Sequence, residues 1–348
     1  MSNARATHFT RRGILAAGGA LGLGAVLAAC GDDKEESGGS SKETTAAKSG
    51  PWTFKDDRGQ AVKLDKAPAN IVAFTGVAAA LHDYGISVKG VFGPTKTTDG
   101  KADVQAGDMD ISKVTVLGNA WDQFNVEKYA ALAPDVLLST MFDDAGTLWY
   151  VPEASKDKIA KLAPSVGISV YDRQITEPLQ RMWELAESLG ADMTAAAVTD
   201  SKKKFEEAAT RLRAAAKAKP DIKVMAGSAS QELFYVSGTN LSIDLEYFKA
   251  LGVNFIEPPE KAKAEGGGWF ESLSWENVDK YQADIIMMDD RSSTIQPADI
   301  TEATWKKLPA VKAGQVIARS PEPILSYDKC TPLLVNLAEA LEKAKKVS

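Results

Sequence analysis

The 348-residue chain is 44 % hydrophobic and 25 % charged, the balance of a globular protein and not of a disordered, collagenous or multi-span membrane chain. Its 41 Lys and Arg against 47 Asp and Glu leave a net charge of −6, and without a basic stripe this excludes nucleic acid as a partner, because phosphate-backbone binding needs clustered cations. Two cysteines, Cys30 and Cys330, cannot build a disulfide framework, and two histidines, His8 and His82, leave little for a His-built metal site.

Residues 1–29 read as a secretory signal, with Arg11-Arg12 followed by an uncharged, Gly- and Ala-rich run from Gly13 to Ala29. The run ends Leu27-Ala28-Ala29-Cys30-Gly31, which resembles the lipobox of bacterial lipoproteins, where the cysteine is acylated, typically with palmitate, and becomes the mature N-terminus. The paired arginines resemble a twin-arginine export signal but also suit general secretion. After Cys30, residues 31–50 hold Gly, Ser, Thr, Lys, Asp, Glu and two Ala with no aromatic or branched aliphatic residue, the composition of a flexible tether. A body anchored through Cys30 to the outer face of the cell membrane is expected to begin at residue 51.

That body opens with a hairpin over Trp52 to Leu64, turned at Asp57-Arg58-Gly59. A strand at Ile71 to Phe74, a helix over Val77 to Tyr84 stopped by Gly85, and a strand at Val88 to Phe92 make a βαβ unit and so parallel strands. The rhythm continues with a helix at Val126 to Leu132 into a strand at Asp135 to Ser139, and a helix at Ser155 to Leu162 into a strand at Gly167 to Tyr171. A helix at Pro178 to Leu189 follows. Thr194 to Lys219 then places Val198, Phe205, Ala209, Leu212 and Ala216 on one face, and at ~1.5 Å per residue it spans about 39 Å, enough to cross between lobes.

After Pro220 the pattern restarts: strand Ile222 to Ala226, helix Ile243 to Leu251, strand Val253 to Ile256. The sharpest internal echo sets Glu127 and the run Asp135-Val136-Leu137-Leu138 against Glu276 and Asp284-Ile285-Ile286-Met287, a match that points to duplicated architecture. The expected organisation is an N-terminal α/β lobe over 51–190, an interlobe helix over 191–219 and a C-terminal α/β lobe over 220–348. The fold class is α/β, two Rossmann-like lobes with parallel-rich sheets joined by one long helix.

These features resemble the class III substrate-binding proteins of ABC importers, which serve siderophores, haem and vitamin B12. The resemblance covers the body from Trp52 to the C-terminal helix and is carried by Asn125-Val126-Glu127 through Ala133-Pro134-Asp135-Val136 and by Ser274-Trp275-Glu276. The aromatic pattern and low histidine content look closest to actinobacterial lipoproteins that bind ferrioxamine-type hydroxamate siderophores. The resemblance implies a monomeric extracytoplasmic receptor, not an enzyme, without cofactor, that binds a chelated Fe(III) complex with no direct metal ligands and passes it to permease subunits. Haem or a corrinoid is the alternative cargo.

A surface α/β hydrolase is the alternative from another class, and no Gly-x-Ser-x-Gly elbow, His-Glu-x-x-His or phosphate-binding Gly-Lys-Ser/Thr loop supports it. His82, within Ala80-Leu81-His82-Asp83-Tyr84, reads as a structural or surface histidine. Ligands of open α/β sheets lie beyond the carboxyl ends of strands, and there the sequence offers Trp121, Trp149, Tyr150, Trp269, Phe270 and Tyr327 with Arg291. Flat rings can bury the methylenes of a hydroxamate complex while a guanidinium donates to its anionic oxygens; Arg173 and Arg319 could add charge for a catecholate. The resemblance implies pocket positions at Trp269, Arg291 and Tyr327. Glu127 and Glu276 each open a helix on a lobe rim, where acids complement the helix dipole, and in the family the matching glutamates dock onto permease arginines.

Overall fold

The computed structural model describes residues 50–348; Cys30, the signal and most of the tether lie outside them. Among the described residues no helix is long and apolar enough to cross a membrane. The expected hairpin forms from β1 (Trp52–Lys55) and β2 (Ala61–Leu64), paired antiparallel. Asp56 closes the turn by accepting the backbone N–H groups of Arg58 and Gln60 at 3.0 and 2.9 Å, while Gly59 takes the left-handed φ of 78° that a side chain would resist.

The first lobe is a parallel sheet in the order β5-β4-β3-β6-β7. Its strands are β3 (Ile71–Phe74), β4 (Gly90–Phe92), β5 (Thr115–Val116), β6 (Val136–Met141) and β7 (Ser165–Ser169). β3 and β6 are buried along their whole length, as the centre of a sheet covered on both faces must be. Helices α1 (Thr75–Asp83), α2 (Val126–Ala131), α3 (Lys156–Leu162) and α4 (Thr176–Ser188) connect or flank them. The chain leaves β3 toward β4 on one side and later adds β6 on the other, so the strand order reverses at β3 and opens a crevice at the carboxyl ends of β3 and β6.

α5 (Ala196–Ala218) is the long interlobe helix. Its 23 residues span about 35 Å, a little less than expected. The expected stripe is buried in full, joined by Ser201, Ala208 and Ala215.

The second lobe's sheet is mixed, with a parallel core and an antiparallel flank. Its sheet runs β10-β9-β8-β11-β12, built from β8 (Val224–Ala229), β9 (Leu233–Ser237), β10 (Phe270–Ser274), β11 (Ile285–Asp289) and β12 (Val316–Arg319). β8, β11 and β12 are parallel, whereas β9 folds back antiparallel on β8 and β10 pairs antiparallel with β9. That hairpin takes the flank of β8 at Gly227 to Ala229, so the expected strand at Val253 to Ile256 shrinks to one parallel bridge between Phe255 and Val224. α6 (Ile243–Ala250) forms as expected; α7 (Glu260–Lys263), α8 (Ala303–Lys307) and α9 (Pro309–Lys312) are short. α10 (Tyr327–Lys343) returns from this lobe to lie along α5, and Arg211 of α5 binds Glu342 of α10 through Nε and Nη2 at 2.9 and 2.7 Å.

The internal echo has a physical counterpart. Asp135 Oδ2 accepts the N–H groups of Ala69 and Asn70 at 2.8 Å, and Asp284 Oδ2 accepts that of Lys223 at the same distance. In each lobe one aspartate at the foot of a buried strand ties down the segment leading into the neighbouring strand. The echo is imperfect at its helix, since Trp275 to Lys280 winds as a 3₁₀ helix.

One charged pair sits deep in the second lobe. Arg319 of β12 grips Asp244 of α6 through Nε and Nη2 at 2.8 and 2.9 Å, and both side chains are almost completely buried. Removing one partner strands the other charge without water. Arg319→Ala is therefore expected to destabilise the protein by about 3–5 kcal/mol, and replacing both residues by apolar ones of similar volume by much less. Urea unfolding of the two variants checks this; equal losses would count against it.

Candidate functional site

The carboxyl ends of the first lobe's strands carry a continuous run of rings. Trp121, in the loop after β5, is 51 % exposed and meets Trp149 and Tyr150 edge-on, with centroids 4.8 and 5.1 Å apart. Trp149 in turn contacts Phe142, the residue after β6, at 4.6 Å. Tyr150 stacks on Phe74, the last residue of β3, at 5.5 Å, and holds a left-handed φ of 59°, a conformation non-glycine residues keep only where surroundings enforce it. Three of the expected residues thus share one surface, and Phe74 and Phe142 place it over the crevice between β3 and β6.

The second lobe reaches this surface through Trp269. Its ring lies 6.2 Å from Phe142 and 6.5 Å from Tyr171, so aromatic contact is continuous across the cleft. Trp269 arrives from an unexpected side. It precedes β10 and its carbonyl accepts the Gly238 N–H at 2.8 Å, so it stands at the outer edge of the sheet and not beyond the carboxyl end of a parallel strand. The loop before it is tied: Lys263, almost wholly buried, binds Asn240 Oδ1 at 2.8 Å and Glu260 at 2.6 Å, and Gly267 and Gly268 take positive φ. Phe270 does not join its neighbour. It is the first residue of β10, and its ring packs on Tyr235 of β9 at 5.0 Å.

Tyr327 is not in the cleft. The expectation of a strand-end loop fails because Ser326 caps α10, its side chain accepting the Lys329 N–H, and Tyr327 becomes the first helical residue. It is 6 % exposed and packs on Trp183 of α4 and Phe205 of α5 at 5.8 and 5.4 Å. The supplementary cations are also accounted for: Arg319 is spent on Asp244, and Arg173 faces Glu177 at 3.5 Å.

Arg291 lies just past β11 with 31 % of its side chain exposed. It is already held by carboxylates. Nε donates to Asp289 Oδ1 at 3.0 Å, Nη2 to Asp289 Oδ2 at 2.6 Å, and Nη1 to Glu322 Oε1. Glu322 Oε2 accepts from two donors of the opposite lobe, Gln105 Nε2 at 2.9 Å and Trp149 Nε1 at 3.2 Å. One carboxylate therefore ties the guanidinium of the second lobe to the aromatic surface of the first. Sequence reasoning missed Glu322, Gln105, Asp289 and Tyr171. Tyr171 was within reach, since it closely follows a buried strand; Glu322 was not, since its partners are remote in the chain.

Glu127 and Glu276 lie apart from these rings. Both are exposed, each the second residue of its short helix. For Glu276 its own backbone N–H and the Ser274 hydroxyl hold the carboxyl below its ordinary pKa, the signature of a helix-start acid. Cys330 is fully buried, and burial pushes its thiol pKa up, as for a packed, unreactive residue.

Against this geometry, residues 72–323 match the periplasmic binding protein family. The chain belongs to that family. It is thus a binding protein and not an enzyme. It is 26 % identical over 312 residues to the iron(3+)-hydroxamate-binding protein FhuD of Bacillus subtilis, covering 87 % of this chain and 88 % of that one. It is similar to the crystal structure of DesE, a ferric-siderophore receptor protein from Streptomyces coelicolor, with 79 % identity, a TM-score of 0.84, and coverage of 85 % of this chain and all of the other. The petrobactin-binding protein YclQ of B. subtilis, 17 % identical with a TM-score of 0.61 and covering 84 % and 99 % of the two chains, shares the fold.

Burial, reinforced by the Glu322 charge, pushes the Tyr150 hydroxyl from 10.0 up to about 12. A folded-state pKa raised above the unfolded one contributes stability that is present below the unfolded value and lost as pH climbs through the folded value. Wild-type stability is therefore expected to fall between about pH 10 and 12 more steeply than that of Tyr150→Phe, measured by denaturant unfolding at each pH. Parallel curves would place Tyr150 in water.

Proposed function

We propose that this protein captures a ferric hydroxamate siderophore in the interlobe cleft, outside the membrane, and delivers it to an ABC importer. The observation that carries the reading is the ring surface running from Trp121 through Trp149 and Phe142 to Trp269, beside the single guanidinium of Arg291. Stacked and edge-on rings suit the methylene linkers of such a ligand. Arg291 has five N–H groups and commits those on Nε, one on Nη1 and one on Nη2 to protein carboxylates, leaving two for the ligand's metal-bound oxygens. The names of the FhuD and DesE relatives support the ligand class. A lipid on Cys30 and the following tether would hold the monomer at the outer membrane face after export.

Three tryptophans on the ring surface make occupancy visible. A ferric trihydroxamate is expected to quench intrinsic emission saturably at submicromolar concentration, about −8 kcal/mol or better, and Arg291→Ala to weaken binding by roughly 1.5–3 kcal/mol. Saturation by haem or cobalamin with no response to any hydroxamate would reverse the assignment, and an unaltered affinity in the variant would remove Arg291 from the site.

Capture and delivery separate at the two exposed glutamates. Glu127 and Glu276, one per lobe, are read as docking groups whose charge orients the protein on the permease. Changing both to Lys is expected to leave siderophore affinity nearly unchanged while import by cells fails, with the double Ala variant less affected. Normal uptake of radiolabelled ferric siderophore by the double Lys variant would reduce both to helix-start residues.

A further inference from the structure

Behind the ring surface, a cavity of about 270 Å³ lies between the lobes, lined by Gln105, Asp108, Asp290, Arg291, Glu322 and Lys329 among others. Its charge is unbalanced. Arg291 is shared by Asp289 and Glu322, and Lys329 by Asp108 and Asp328 at 2.6 and 3.0 Å; Asp290 adds a carboxylate bound to no cation, its Oδ2 held at 2.6 Å by the Ser320 hydroxyl. In the lining two cations thus face three carboxylates, and the further partners Asp289 and Asp328 add two more around it. The unmet hydrogen-bonding capacity has the same sign. Asp290 Oδ1 and Gln105 Oε1 are buried with no partner, and Gln105 as a whole is only 5 % exposed. Burial raises the Asp290 pKa, with the neighbouring Asp289 charge in the same direction, as for an acid lacking a counter-charge. Every unpartnered group here is an acceptor, so the missing component is a donor.

We propose that Glu322 is a specificity-determining residue that makes the cleft select a cationic ferric hydroxamate, one whose free end carries a protonated primary amine, over neutral and anionic relatives. The inference rests on the hydroxamate reading above and deepens it. An ammonium offers three donors and one positive charge, which suits a region with surplus carboxylates and two orphan acceptors. An anionic terminus entering this region would face the carboxylates of Glu322, Asp290 and Asp108, while Arg291 and Lys329 are each already paired with acids. A cationic ligand leaves this arrangement in place. A neutral metal centre can use the two remaining N–H groups of Arg291 at the same time, so the two readings are compatible in one pose.

The test is a fluorescence titration of wild type and Glu322→Gln with three ferric complexes of one linear trihydroxamate: the free terminal amine, its N-acetyl derivative and its N-succinyl derivative, which are cationic, neutral and anionic. Wild type is expected to bind the cationic complex roughly tenfold or more tightly than the anionic one, with the neutral one between. The gap should narrow as ionic strength rises from about 0.02 to 0.5 M. In Glu322→Gln the cationic-to-anionic ratio is expected to fall to about threefold or less. Equal wild-type affinities for the three, a preference for the anionic complex, or full discrimination retained by Glu322→Gln would overturn the inference while leaving hydroxamate capture standing. Failure of all three to bind would overturn the hydroxamate reading and this inference with it. The wild-type ranking and its salt dependence decide the matter even if the variant does not fold.

Discussion

Everything in this molecule depends on α10 lying back along α5. An isolated helix of 23 residues is a marginal structure in water, and as a lone strut it would bend. Packed against a second helix that begins in the other lobe, it becomes a two-helix beam, with Leu212 and Ala216 buried from one side and Leu334, Leu337 and Leu341 from the other. The start of α10 also reaches the first lobe, through Ser326 to Asp83 and Lys329 to Asp108. The lobes are therefore held by the beam and by polar contacts at its end. A backbone bond from Ile175 N–H to Ile243 O, 3.0 Å long, adds a further tie. A cleft framed in this way can be largely formed before its ligand arrives, which limits the ordering cost of binding.

Within that frame the aromatic surface and the guanidinium have different duties. The rings supply area and little charge discrimination, and their edge-to-face contacts hold each other in place, so Trp121 can stand half in solvent without being loose. The left-handed backbone at Tyr150 is a local cost that this mutual packing offsets. Arg291 supplies direction, but its charge is spent inside the protein. Recognition of an anion would usually show a guanidinium with open donors; here the donors are mostly taken, and the field around them is negative.

The first lobe was legible because parallel, doubly covered strands are written as unbroken apolar runs, and Ile71 to Phe74 reads as a strand with no other information. The second lobe was only half legible. β9 and β10 are half-buried strands with alternating exposure, and neither was read from the sequence, which placed Trp269 and Phe270 beyond the carboxyl end of a strand. That reading put Trp269 and Phe270 on the same surface, whereas Trp269 ends the preceding loop and Phe270 opens β10, and their rings pack on different neighbours. Arg291 was singled out by residue type and position after a strand, whereas the carboxylate that holds it, Glu322, follows a different strand and becomes its partner only through tertiary packing. Tyr327 fails for a related reason: Ser326 was a readable helix cap, but which helix would cover the ring was not written nearby.

Cys330 has a consequence of a practical kind. It is the one cysteine among the described residues, on the buried face of α10 with its thiol proton held tightly by burial. A body beginning after the tether therefore presents no thiolate to alkylating reagents while folded, and a single cysteine added on the rim of the cleft would take a dye or spin label without background. The architecture is a ready chassis for an optical reporter, in which a tag beside Trp121 responds to what the rings enclose.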